Sequence, residues 1–216
     1  MPIIFRSGTD IESDRELCDT VVAVDLGFVK AEKSCGTSWL QDGKIQSQGF
    51  DFGQCIDKVS KIIEEHEKIV LIIEAPLSGL FSHEGNPMSR GDFERKSLDL
   101  SIKTPRYWYT GAGASICLGA TFFLKMLNVK TLNLADKENL HEVVLYEGFI
   151  TFKDENAKKL THEEDAEALV NCFNGKRKYR TEIVNAVDGL TPLVLTDLIA
   201  LTTSSLAPHI IVPEEL

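Results

Sequence analysis

The sequence predicts an α/β fold in which helices cover both faces of a mixed five-stranded sheet. The first indication is a pair of nearly continuous apolar segments, 20–26 and 69–73, which are typical of central strands buried on both faces. The second is the order of the predicted elements, which is strand, strand, strand, helix, strand, helix, strand, helix. An antiparallel three-strand meander that leads into helix–strand alternation, with parallel strands, produces such a sheet.

The first half of the chain contains the predicted meander. The segment 20–26 (TVVAVDL) is its first strand, and the second and third strands are predicted near 34–40 and 45–50. Between them, Asp42-Gly43 favours a two-residue hairpin turn. Apolar residues at helical spacing then predict an amphipathic helix over 53–68.

The fourth predicted strand, 69–73 (IVLII), ends at the Glu74-Ala75-Pro76 step. The segment 76–113 that follows is rich in Gly, Pro, Ser and charged residues. A long irregular insert of this kind in a compact domain is usually functional or mobile. We expect one short helix inside it, around 93–101.

Three further elements are predicted after the insert. They are a buried helix over 114–127, a strand over 141–146 and a helix over 161–173. Thr161 and Glu164 have the spacing of a capping box, which indicates where the last helix begins.

One domain is expected over 20–216, preceded by an N-terminal arm of polar and mixed residues, 1–19. The apolar tail after Leu190 is predicted to hold one more helix, at 192–201. The chain of 216 residues is long enough to bury a substantial core.

The composition narrows the class of protein. A net charge of −10 argues against a passive nucleic-acid coat, which would be basic, but it leaves room for local cationic tracks. The five cysteines are scattered and form no C-x-x-C pair, which indicates reduced thiols in a cytoplasmic protein. No apolar run approaches the roughly 20 residues that span a bilayer, and no signal peptide is evident.

Three acidic residues stand at comparable places on the predicted elements. Asp25 lies near the end of the first strand, Glu74 ends the fourth strand, and Asp165 lies in the first turns of the last helix. If the two strands are neighbours, their carboxyl ends bring Asp25 and Glu74 together. Crowded carboxylates repel one another unless a divalent cation neutralises them, and Mg²⁺ or Mn²⁺ prefers such oxygen ligands. His162 precedes Asp165 by three residues, so both lie on one helix face.

Three segments together resemble the RNase H-like superfamily, near the RuvC-type resolvases. They are VVAVDLGF, LIIEAPLSG and THEEDAEALV, and the resemblance covers about 20–173. The segment EAPLSG, followed by Arg90, Glu94 and Arg95, is similar to an uncharacterised branch of predicted nucleases with this fold, a domain of unknown function. The insert 76–113 is not a feature of RNase H itself.

The resemblance implies a metal-dependent nuclease that hydrolyses phosphodiester bonds with Mg²⁺ or Mn²⁺ by a two-metal-ion mechanism. It implies that Asp25, Glu74 and Asp165 are the metal ligands and catalytic residues, and that His162 binds an ion or manages a proton. Glu147 matches an acid of the uncharacterised branch more loosely and is a further candidate. RuvC-like enzymes often act as dimers, so a homodimer is one expectation.

Two basic tracks are candidates for binding a nucleic-acid substrate, DNA or RNA. They comprise Arg90, Arg95, Lys96 and Arg106 in the insert, and Lys176 and Arg177 after the last helix. Cations near aromatic residues suit phosphate contacts and base stacking. For the insert, a solvated helix face explains the residues equally well. A charge run such as the one that contains Lys176 and Arg177 is usually a solvated loop, and it would matter only if it flanks the acidic residues.

Other interpretations of the site remain open. Asp25 alone is also typical of a turn, Glu74 of a surface charge, and acids near Thr161 of an ordinary helix start. The Asp25-Leu26-Gly27 step also resembles the first strand of actin- and hexokinase-like ATP-binding kinases, of which this chain would be one half. A non-catalytic interaction module with the same fold is the remaining alternative.

Overall fold

The protein is described by a computed structural model that covers residues 3–27, 33–84, 86–94, 112–133, 140–150, 161–184, 190–194 and 207–214. Within these ranges the chain forms eleven strands and four α-helices. An eight-stranded mixed sheet is the centre of the molecule, and a three-stranded sheet accompanies it. The predicted α/β architecture is therefore confirmed.

The meander lies at one end of the large sheet. Strands β2 (Thr20–Asp25), β3 (Cys35–Gln41) and β4 (Lys44–Phe50) pair antiparallel in sequence order. Asp42 (φ 51°) and Gly43 (φ 74°) form the tight turn between β3 and β4. Positive φ at both central residues matches the twist of the flanking strands, so the predicted hairpin turn is confirmed.

The other side of β2 begins the parallel half of the sheet. Strand β5 (Lys68–Glu74) pairs with β2, and β8 (His141–Gly148) pairs with β5, both in parallel. The order β4-β3-β2-β5-β8 contains the five predicted strands. The residues of β2 and of the central part of β5 are buried throughout, as their apolar runs require.

The sheet is larger than the predicted five strands. Strand β1 (Ile3–Ser7) pairs in parallel with β8, within the segment predicted as an N-terminal arm. Strand β11 (Ile210–Pro213) continues along the same edge of β8, and β9 (Tyr179–Glu182) pairs antiparallel with β11. The amide of His209 donates to the carbonyl of Gly8 at 2.9 Å, where β1 gives way to β11.

Helices cover both faces of the large sheet. Helices α2 (Phe52–Glu65) and α3 (Ala112–Asn133) pack on the face that contains Val22 and Leu71. Helix α4 (His162–Phe173) and the start of helix α1 (Ile11–Leu17) cover the opposite face. Because neighbouring strand residues point to opposite faces, each buried strand supplies both cores.

The structure extends one predicted helix and confirms the predicted start of another. Helix α3 is longer than the predicted 114–127, and it leaves Leu118 and Phe122 exposed, so it is not buried all round. The predicted capping box at the start of α4 is confirmed, because Thr161 and Glu164 exchange their side-chain and backbone hydrogen bonds.

The insert and the tail form the second sheet. Strands β6 (Ser78–Ser82) and β7 (Pro87–Met88) come from the insert, and β10 (Leu190–Val194) from the tail pairs with β6. The predicted tail helix at 192–201 is therefore wrong at its start, where the chain is extended. A 3-10 helix, Asp92–Glu94, overlaps the predicted helix at 93–101, and the rest of that helix lies outside the described residues.

Two further findings concern the apolar character of the helices and the state of the cysteines. In the described part of the protein, no helix combines the length and the apolar character that a membrane crossing requires. Cys18, Cys35, Cys55, Cys117 and Cys172 are all free thiols, as the absence of paired spacings predicts.

Candidate metal centre

Strands β2 and β5 end side by side and bring two carboxylates together. Asp25 lies opposite Glu74 in the parallel register. The residues before them, Val24 and Ile73, belong to the core beneath α2 and α3. Because strand residues alternate between faces, Asp25 and Glu74 both lie on the face that α4 covers.

Helix α4 supplies the third carboxylate. Asp165 lies in the first turn of this helix and is only 2% exposed. One oxygen from each of Asp25, Glu74 and Asp165 can be chosen so that all three lie within 4.8 Å of one another. The three acids separated along the sequence therefore converge in space, as their positions on the predicted elements indicate.

Two glycines allow the start of α4 to approach the sheet. Gly36 on β3 lies opposite Asp25, and Gly49 on β4 lies opposite Gly36. A Cβ atom on Gly36 would overlap the carbonyl oxygen of His162, and one on Gly49 would overlap the side chain of Glu163. Glycine inside a strand often marks such a close approach, although it does not indicate which element approaches.

His162 lies at the rim of the cluster. Its Nδ1 atom contacts Oδ2 of Asp25, and its side chain is 49% exposed, whereas that of Asp25 is 11% exposed. The imidazole therefore stands between solvent and the carboxylates. The contact of the imidazole with Oδ2 fixes the orientation of the Asp25 carboxylate.

The donor set suits a hard divalent cation. Three carboxylates that are mostly enclosed by protein repel one another, and a bound cation would offset this repulsion. Mg²⁺ and Mn²⁺ favour oxygen ligands of this kind and retain water or substrate oxygens in their other positions. The residues present therefore fit the metal that the sequence predicts.

Glu147 does not join these acids. Glu147 belongs to β8 and lies opposite Ile73 of β5. Its side chain lies on the face of the sheet beneath α2 and α3. Its carboxylate accepts the backbone amide of Leu77 at 3.0 Å and lies 2.7 Å from Nη1 of Arg90. Complete burial raises the pKa of Glu147, and the Arg90 charge opposes that shift.

The structure contradicts the predicted nucleic-acid contact of Arg90. The Arg90 side chain is 1% exposed and lies between the carboxylates of Glu94 and Glu147, which are both fully buried. A guanidinium enclosed and paired in this way has no surface to offer a phosphate. The other predicted contacts of the insert, Arg95, Lys96 and Arg106, lie outside the described residues.

The second basic track lies away from the acids. Lys176 and Arg177 follow α4 in a turn, whereas Asp165 lies near the start of that helix. A helix of 12 residues is about 18 Å long, so the turn does not flank the acidic cluster. A substrate would have to extend by roughly this length to contact both.

Comparison with protein-family models, with curated proteins and with solved structures finds no match for this chain. The chemical interpretation of the cluster therefore rests on the positions of its residues and on the sequence pattern. The geometry provides three oxygen donors, one neighbouring imidazole and a rigid sheet edge that holds them.

Proposed function

We propose that this protein is a metal-dependent nuclease with an RNase H-like fold, which hydrolyses phosphodiester bonds of DNA or RNA. The observation that carries the proposal is the convergence of Asp25, Glu74 and Asp165 at the ends of two parallel strands and the start of α4. The strand order β4-β3-β2-β5-β8 supports it, because the acids occupy the elements on which the RNase H-like resemblance expects them.

Each residue of the cluster has a defined role in this proposal. Asp25, Glu74 and Asp165 hold one or two Mg²⁺ or Mn²⁺ ions. Such ions, when bound, activate water and offset the negative charge of the phosphodiester. His162 orients Asp25 through Nδ1 and, from its half-exposed position, takes up or delivers a proton at the edge of the site.

The charge of the protein defines how a nucleic acid would approach it. With a net charge of −10, the chain repels a polyanion at long range, so local cations and bound metal are needed for association. Lys176 and Arg177 are the described members of the predicted contact set that lie at the surface. They would contact the substrate away from the cleaved bond.

The proposal is tested with the full chain and Mn²⁺ on single-stranded, duplex and branched DNA and RNA. Asp25→Asn should reduce cleavage on the order of 100-fold or more, because it removes an anionic ligand while preserving the shape of the side chain. The matched control is Asp42→Asn, which makes the same chemical change at the β3–β4 turn, where Asn suits the positive φ. This control should cleave at the wild-type rate.

Two results would contradict the nuclease proposal. One is a wild-type protein that cleaves none of these substrates, and the other is an Asp25→Asn variant that cleaves as fast as wild type. A wild-type protein that also shows no Mn²⁺-induced rise in melting temperature would favour the non-catalytic module, since a ligand specific for the folded state must stabilise it.

A further inference from the structure

A second charged cluster is buried on the face of the sheet opposite the candidate metal centre. It consists of Arg90, Glu94 and Glu147, and we refer to it as the Arg90 cluster. Their side chains are 1%, 0% and 0% exposed, respectively. Burying three charges is costly unless their geometry and hydrogen bonds are well satisfied. The proposed hydrolysis does not use these charges, so their burial calls for another explanation.

The Arg90 cluster is bonded to the chain segment that leaves β5. The Glu147 carboxylate accepts the amide of Leu77 at 3.0 Å, and Nη1 of Arg90 donates to Oγ of Ser78 at 3.1 Å. Nη1 of Arg90 also donates to Oε2 of Glu147 at 2.7 Å. Leu77 and Ser78 follow the candidate ligand Glu74 by three and four residues. The cluster thus holds the first residues beyond the metal centre.

The connection from Glu74 to Leu77 has little freedom. The amide of Ala75 donates to the carbonyl of Ile73 at 2.8 Å, which closes a tight three-residue turn centred on Glu74. Pro76 follows with its φ angle fixed by its ring. With two residues between Glu74 and Leu77, a displacement of Leu77 is transmitted to the carboxylate of Glu74.

The Arg90 end of the cluster is also firmly held. Glu94 accepts the backbone amide of Arg90 at 2.8 Å and pairs with Nε of the same residue. Phe93 packs edge-to-face on Phe149, with the ring centroids 5.0 Å apart. Phe149 follows directly after β8, so residues 90–94 are fixed to the same strand end that carries Glu147.

We propose that the Arg90 cluster is a positioning device that holds Glu74 in the geometry required to bind the metal ion. This inference rests on the proposed metal centre. Arg90, Glu94 and Glu147 touch neither the ion nor the substrate, and they act through the backbone of residues 75–78. From the opposite face of the sheet, the cluster therefore links the end of β8 to the chain segment that follows Glu74.

The experiment measures Mn²⁺ affinity by isothermal titration calorimetry on the full chain, together with the melting temperature without metal. Glu147→Gln keeps an acceptor for Leu77 but removes the charge that pairs with Arg90. Its Mn²⁺ affinity should fall about tenfold to a hundredfold, as for other groups that orient metal ligands. Ser78→Ala removes one hydroxyl and should lower the affinity by a smaller factor. It decides the question if Glu147→Gln does not fold.

The control is Glu142→Gln, which removes a carboxylate at the other end of β8. Glu142 pairs with Arg6, and it lies five residues from Glu147, roughly 17 Å along the strand. Its Mn²⁺ affinity should equal that of wild type even if its melting temperature falls. This result would show that metal affinity does not simply follow stability.

Three outcomes would overturn the proposal. If wild type binds Mn²⁺ and both Glu147→Gln and Ser78→Ala bind it equally well, the positioning role is excluded and the metal centre stands. If Glu142→Gln weakens binding as much as Glu147→Gln, the effect is a general loss of stability. If wild type binds no Mn²⁺, the metal centre and the positioning role fail together.

Discussion

Asp25 is held on three sides in the candidate metal centre. It lies opposite Glu74 on one neighbouring strand and opposite Gly36 on the other, and its carboxylate contacts His162. The backbone pairings fix the direction of its side chain, and the imidazole fixes its orientation. Small displacements of β2 would therefore alter the whole site.

Mutual repulsion among the three carboxylates leads to a prediction about Asp165. Without metal, Asp165→Asn should stabilise the fold on the order of 1 kcal/mol, because it removes one of three charges whose oxygens can lie within 4.8 Å of one another. With Mn²⁺, the same variant should lose most of the metal-induced stabilisation. Thermal unfolding with and without Mn²⁺ measures both effects.

The matched control for this prediction is Glu164→Gln, one residue earlier on α4. Glu164 is exposed, and its amide variant can still bond to the Thr161 backbone in the capping box. Its response to Mn²⁺ should remain that of wild type. An Asp165→Asn variant that is stabilised by Mn²⁺ as strongly as wild type would show that Asp165 is not a ligand.

At the residue scale, the sequence predicts the acids better than their surroundings. Asp25, Glu74 and Asp165 could be placed because each is adjacent to a strong local pattern. The roles of Gly36 and Arg90 could not, because they depend on contacts with His162 and Glu147 that are distant in sequence. A glycine or an arginine carries no local sign of the partner it will meet.

Helix α4 connects the candidate metal centre to the basic turn that follows the helix. Its capped start places Asp165 and His162 beside the strand carboxylates. Its end leads into the basic turn with Lys176 and Arg177. Glu163 and Glu164 lie in the first turn itself, and Glu167 follows them on the way to the basic turn. A nucleic acid that contacted both would have to avoid this acidic side of the helix.

The basic turn after α4 allows a prediction about substrate binding. If Lys176 and Arg177 contact phosphates, the double variant Lys176→Gln/Arg177→Gln should weaken binding. It should also reduce the slope of log affinity against log salt concentration by about 1.4 to 1.8. Fluorescence anisotropy over a range of salt concentrations measures this slope. An unchanged slope would identify the turn as a solvated loop, and Mn²⁺ affinity should not change in either case.

At the element scale, the central strands and the helices between them were predictable from local periodicity. The apolar runs of β2 and β5 identify buried strands without knowledge of their neighbours. Strands β1, β9, β10 and β11 have four or five residues each, and their pairing partners lie far away in sequence. Such short segments become strands because the edge of an existing strand pairs with them. Pro192 makes β10 harder still to predict, because proline is uncommon within strands.

The molecule as a whole is organised around β8. This strand pairs with β5 on one edge and with β1 and β11 on the other, and it carries Glu147 on one face and Tyr146 on the opposite face. Tyr146 donates to the buried carboxylate of Asp14 at 2.6 Å, which attaches α1 to the same strand. Sequence patterns that act over a few residues could not predict this central role.

The attachment of β1 to β8 predicts a pH dependence of stability. Partial burial raises the pKa of Glu142, but the bond from Arg6 and the charge of Lys68 outweigh it and hold the pKa below its usual value. A carboxyl with a lowered pKa contributes stability above its unfolded-state pKa, and this contribution disappears as the pH falls through the folded-state value. The stability difference between wild type and Glu142→Gln should therefore shrink from about pH 6 to about pH 3.

Chemical denaturation at several pH values tests this prediction. A difference between the two proteins that stays constant across the range would show that Glu142 has the same pKa in the folded and unfolded chains. Lys68→Gln should show a weaker form of the same behaviour, because it removes one of the two cations that hold Glu142 in its charged form.

The two short strands that share one edge of β8 also determine how the protein is expected to aggregate. If β1 or β11 detaches, the backbone groups along one edge of an almost wholly buried strand lose their partners and become available to other chains. Heat or acid that releases either strand would then promote association between molecules before the interior unfolds. Aggregation on storage is thus expected to begin where β1 and β11 meet the edge of β8, while the carboxylate site is still intact.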